Sequence, residues 1–125
     1  MNSHVSALVI ASSYQLRDGL QVLLAAIPTI DRVSQADDVA SALAMGANHS
    51  PALVLLDCDL SDQELLATLR KLKGKWPRTK CIVVVDDERN HEAAKAAGAD
   101  VILTQGVLAS KFYATVEAVL STREI

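Results

Sequence analysis

Leu53-Val54-Leu55-Leu56-Asp57 is four apolar residues in a row closed by a carboxylate. A short run that is apolar at every position, without alternation, fits a strand covered on both faces. After the loop Cys58-Asp59-Leu60, Ser61 stands three residues before Glu64. That is the S-x-x-E spacing in which two side chains cap each other's backbone at a helix start. Leu65, Leu69, Leu72 and Trp76 then recur at helical spacing, and Pro77 stops the pattern. A doubly buried strand followed by an amphipathic helix is the unit of a parallel sheet with helices on both sides.

The unit recurs in both directions. Downstream, Cys81-Ile82-Val83-Val84-Val85 runs into Asp86-Asp87, and an alanine-rich helix from Glu92 to Ala97 stops at Gly98. Val101-Ile102-Leu103 is the next strand, and Leu108, Phe112, Val116, Val119 and Leu120 mark the last helix. Upstream, Val5 to Ala11 is a buried strand. The stripe Leu16, Leu20, Leu23, Leu24 and Ile27 follows, with Ser12 or Ser13 as its cap and Pro28 at its end. Ile30 to Ala36 is diluted by Asp31, Arg32, Ser34 and Gln35, which places it at a sheet edge. Asp37 or Asp38 opens a helix through Val39, Ala40, Leu43 and Ala44; Gly46 and Asn48 fray it and Pro51 closes the connection. The reading is α/β, (βα) five times: a five-stranded parallel sheet, doubly wound, with right-handed crossovers and strand order 2-1-3-4-5. In such a sheet the functional crevice opens beyond the carboxyl ends of the strands, where the order reverses. That rim holds Ala11, Ser12, Asp57, Val85, Asp86 and Gln105.

The 125 residues, 50% of them hydrophobic, make one domain, 1–125, able to bury a core and too apolar for whole-chain disorder. No apolar run reaches the roughly 18–20 residues of a membrane span. Met1-Asn2-Ser3-His4 does not open a secretory signal. A net charge of −3 argues against a nucleic-acid-binding domain. Cys58 and Cys81 belong to no CxxC, as expected of reduced thiols in a cytoplasmic protein. His4, His49 and His91 share no metal-ligand spacing, and Ser12 and Ser13 sit in no G-x-S-x-G elbow. Lys73-Gly74-Lys75 lacks the glycine spacing of a phosphate loop. The chain is therefore read as a non-enzyme.

In their order and spacing, Leu55-Leu56-Asp57, Trp76-Pro77-Arg78-Thr79 and Gly98-Ala99-Asp100 resemble the receiver domains of two-component response regulators. Leu16-Arg17-Asp18-Gly19-Leu20 is similar to the subfamily that carries a C-terminal LuxR-type helix-turn-helix. The resemblance covers nearly the whole chain and implies a flavodoxin-like fold in a phosphorelay module. Leu120 to Ile125 also resembles the opening of a LuxR-type DNA-binding domain, which makes 117–125 a candidate linker to an output domain.

The resemblance implies that Asp57 is the phosphoacceptor. It also implies an acidic pair after the first strand to hold Mg²⁺, a Ser or Thr after the fourth strand and a Lys after the fifth. A loop carbonyl, here that of Asp59, would complete the metal shell. The chain departs from this pattern. Ala11 and Ser12 stand at the acidic pair, Val85 (or Asp86, one residue on) at the hydroxyl, and Gln105 at the lysine. Ser61 replaces the proline four residues past the acceptor, and the fourth helix is about two residues short.

Mg²⁺ demands octahedral oxygen ligands and takes one or two carboxylates. Phosphoryl transfer depends on neutralising spread negative charge. The expectation is a degenerate receiver that keeps Asp57, holds Mg²⁺ weakly or not at all and uses no other cofactor. Asp59, Asp86 and Asp87 are the loop acids that would have to rebuild a cation site, and they are read as solvated. By resemblance the partner is a protein, a histidine kinase or another regulator. Two copies would pair through the fourth helix, fifth strand and fifth helix, where Arg89, His91, Lys95, Lys111, Tyr113 and Glu117 stand. Neither nucleic acid nor membrane is expected to bind this domain alone. Two other readings stay open: a working Mg²⁺-dependent phosphoacceptor at Asp57, and an unrelated flavodoxin-like binding protein. Ser12-Ser13-Tyr14, where such a binding protein would carry a glycine-rich loop, counts against the latter.

Overall fold

Strands and helices alternate along the whole chain: β1 (Val5–Ile10), α1 (Tyr14–Ala25), β2 (Ile30–Ala36), α2 (Val39–Met45), β3 (Leu53–Asp57), α3 (Asp62–Lys75), β4 (Lys80–Val85), α4 (His91–Ala97), β5 (Val101–Thr104) and α5 (Leu108–Thr122). This computed structural model describes residues 5–11, 14–45, 50–57, 61–85, 91–104 and 108–122. Every strand pair is parallel, and the order is β2-β1-β3-β4-β5, as the sequence pattern implies. The diluted strand, β2, is at the edge, with Asp31 and Arg32 exposed. Ser12, Ser13, Gly46 and Asn48, expected at helix ends, lie outside the described residues. Residues 117–122, placed by sequence in a candidate linker, are the last part of helix α5.

The unbroken apolar run of β3 is explained by a core on each side of the sheet. Leu53 and Leu55 enter one, beneath α1 and α5, with Leu20, Leu24, Phe112 and Val116. Val54 and Leu56 enter the other, beneath α2, α3 and α4, with Leu65, Leu69, Leu72 and Trp76. The α1 stripe is narrower than its leucines suggest. Leu20, Leu24 and Ile27 are buried, whereas Leu23 turns to the edge and Val22 faces solvent.

Three local devices fix the ends of elements. At the start of α3, Ser61 N–H donates to Glu64 Oε1 (2.9 Å) and Glu64 N–H donates to Ser61 Oγ (3.2 Å), closing the expected capping box. At the end of α4, Gly98 adopts φ +107°, a left-handed conformation that glycine accepts without a Cβ clash. Its N–H donates to Lys95 O (3.1 Å) while Ala99 N–H reaches Ala94 O (3.2 Å), so two terminal carbonyls of a short helix are used. At the amino end of the sheet, Asp100 Oδ2 accepts from Cys81 N–H (2.7 Å) and Lys73 Nζ (2.6 Å). Lys73 Nζ also donates to Thr79 O (2.9 Å), and Thr79 Oγ1 donates to Pro51 O. Burial pushes the neighbouring Cys81 thiol up to about 11, so it stays protonated and acts as a small core hydrophobe.

The capping box gives a pH-dependent prediction. Ser61→Ala is expected to cost about 1 kcal/mol, seen as a lower urea midpoint at neutral pH. The Ser61 backbone N–H holds the exposed Glu64 carboxyl below its usual range. A carboxyl lowered on folding stabilises fully above its unfolded pKa, near ~4.3, and loses that contribution as pH falls through the lower folded value. Ser61→Ala keeps that N–H, so the pH-dependent part is removed by Glu64→Gln instead, whose gap from wild type should shrink at about pH 3 relative to pH 7.

Candidate functional site

The carboxyl ends of β1, β3, β4 and β5 form the rim. Ile10 pairs with Leu56, Asp57 with Val84, and Val85 with Thr104, so β1 and β3 end at one level beside the reversal of strand order. Asp57 is half-buried at the mouth of the sheet. Strand alternation gives it the face of Leu55, which is also the face of Ala11.

Ala11 is buried, and its backbone is fully engaged by protein. Its N–H donates to Ala36 O (3.1 Å), and its carbonyl accepts Arg17 Nη1 (2.9 Å) from the first turn of α1. A permanent cation thus sits against the end of β1. Sequence reasoning noted Arg17 only as part of a motif. The available signal was electrostatic: a cation in a helix's first turn opposes the helix dipole, so another contact must hold it there.

Val85 ends β4, with its side chain on the side of the sheet away from Ala11. It packs in the core with Leu56, Leu65 and Ala94, on the face opposite to Ala11. Alternation along β4 is the cause, because Ile82 points to the α1 side and Val83 and Val85 to the α3 side. Val85 therefore does not line the crevice beside Asp57. Ser12, Asp59, Asp86, Asp87 and Gln105 lie outside the described residues.

Among the described residues, no group of three His, Cys, Asp or Glu side chains is arranged to hold a metal ion. At the end of β1 the donor set is one carbonyl, already taken by a guanidinium. With the Asp57 carboxylate, the described oxygen donors at this end of the sheet are fewer than the octahedral shell that Mg²⁺ takes. What the arrangement retains is a carboxylate at the mouth of a parallel sheet.

The model of the response regulator receiver domain family matches residues 7–117. A search of curated proteins returned no significant match. Among solved structures, the chain is similar to a LuxR-family two-component response regulator from Aurantimonas sp. SI85-9A1, with TM-score 0.81 and 18% identity over 95% of this chain and 86% of that one. It is likewise similar to a CheY-like receiver domain protein from Methanospirillum hungatei JF-1, with TM-score 0.81 and 23% identity over 98% of each chain. NtrX from Brucella abortus matches with TM-score 0.80 and 25% identity over 97% of this chain and 28% of its own. The strand order, the Asp57-bearing end of β3 and a family match over most of the length agree, and the chain belongs to the response regulator receiver domains of two-component signal transduction.

Proposed function

We propose that this receiver is degenerate: it keeps Asp57 but does not accept a phosphoryl group in a Mg²⁺-dependent reaction, and it signals by protein contact. The observation that carries the reading is Ala11, buried at the end of β1 on the face of Asp57, where it offers no carboxylate to a divalent ion. Gln105 adds a neutral side chain where the family pattern places a lysine, so a phosphoryl oxygen would find no cation from that position. At the switch position neither Val85, which faces away from Asp57, nor Asp86 carries a hydroxyl, and a carboxylate there would repel a phosphoryl group. The domain works in the cytoplasm as the regulatory part of a transcription regulator. Its partner is a histidine kinase or another regulator, and two copies meet through α4, β5 and α5, where Lys95, Lys111 and Tyr113 are exposed.

The test is incubation with acetyl phosphate and MgCl₂ followed by intact-mass measurement, with an active receiver run in parallel. No mass gain is expected on this chain while the control is labelled. Rapid stoichiometric gain of one phosphoryl group, mapped to Asp57, would overturn the reading and establish a working phosphoacceptor.

A further inference from the structure

The charges of this chain are sorted along the sequence. Residues 65–85 contain six of the twelve basic residues and none of the fifteen acidic ones. The remainder holds six bases against fifteen acids. The fold turns this bias into a surface. Arg70, Lys71 and Lys75 are exposed on α3, and Arg78 is exposed in the turn that follows. Arg70 and Gly74, like Lys71 and Lys75, are one helical turn apart. The backbone at Gly74 is open, with nothing within 4 Å of an added Cβ. The 14 residues of α3 span about 20 Å, so this patch lies at the opposite end of the helix from Ser61 and the crevice.

The fold accounts for only part of this charge. Lys73 and Lys75 lie in the last turn of α3, where the helix dipole favours them, and Lys73 is committed to Asp100. Arg70, Lys71, Lys75 and Arg78 form no ion pair with any described carboxylate. Lys71 and Lys75, like charges one turn apart, repel each other on the helix surface.

We infer that this patch is a docking surface for an acidic segment of a partner protein. Charge complementarity sets the class of ligand, and three observations narrow it. Trp76, the aromatic residue beside the patch, is 4% exposed and offers no platform on which bases would stack. The acid-rich remainder of the chain would repel a long polyanion such as duplex DNA laid across it. Among the described residues, no large apolar side chain is exposed beside these cations to enter a lipid surface. A short acidic segment touches the patch alone, and the distant acids are screened beyond about 8 Å at physiological salt. The inference does not depend on the state of the crevice.

Fluorescence anisotropy with a labelled glutamate oligomer at low salt tests this, with duplex DNA and phosphatidylserine vesicles as competing probes. Binding to the wild-type chain is expected, weakening steeply as salt rises. The combined variant R70Q/K71Q/K75Q/R78Q should weaken it by about tenfold or more. Lys95→Gln with Lys111→Gln, which removes two exposed cations elsewhere, should leave it unchanged, as should Asp57→Asn. Circular dichroism melts check that the combined variant folds, and its melting temperature should equal or exceed that of the wild type. Absent binding, equal binding by the combined variant, or preference for DNA or vesicles over the oligomer would each overturn the inference. A failed phosphorylation reading with intact oligomer binding would leave it standing.

Discussion

Leu55→Ala is expected to destabilise the domain by about 3 kcal/mol. Leu55 lies in the central strand, is fully buried, and is flanked in the ladder by Val9 and Ile82, all in the core beneath α1 and α5. Truncation removes the apolar area that drives burial and leaves a void that strands and helices on three sides cannot close. Against a typical total of about 5–15 kcal/mol, that loss is large. The melting temperature should fall by roughly 10 °C, and the urea midpoint should drop with little change in slope. A loss under about 1 kcal/mol would mean that the helices settle onto the shortened side chain, contrary to a rigid two-sided sheet.

Asp100→Ala is expected to cost about 2–3 kcal/mol, more than its distance from the crevice suggests. One carboxylate oxygen accepts both the Cys81 N–H and the Lys73 ammonium. Alanine leaves a partly buried backbone donor without its partner at the start of β4 and leaves the lysine with the Thr79 carbonyl alone. The two losses are separable. Lys73→Met removes an ion pair that is about a third exposed on the lysine side, at 31%, together with the hydrogen bond to Thr79 O, and should cost about 1 kcal/mol. Urea melts of the two variants should therefore differ clearly. Equal losses would show that the ammonium, not the Cys81 amide, is what the carboxylate is there to hold.

Much of the architecture could be read from local pattern. The apolar run of β3, the Ser61–Glu64 box and the Leu65–Trp76 stripe are each written within a few residues, and local propensity and burial agree there. The dilution of β2 showed its edge position for the same reason. What was not legible depends on distance or on parity. Lys73 and Asp100 are 27 residues apart, and only the closed fold brings them together. Arg17 reaches back six residues to a carbonyl that sequence shows only as alanine. Val85 was assigned to the rim because it ends a strand. Strand ends alternate in direction as strands do, and one residue of register decides between crevice and core.

The two cores beneath the faces of the sheet have a consequence for how a message crosses this domain. No set of packed side chains described here bridges them, because the backbone layer of β1, β3 and β4 lies between. A disturbance on the helix-1 flank therefore has no mechanical route through jostling residues to the helix-3 flank. It must shear the hydrogen-bonded ribbon itself or travel around its border through the loops. The floor of the molecule acts as a bulkhead, and communication between its chambers runs along the rim.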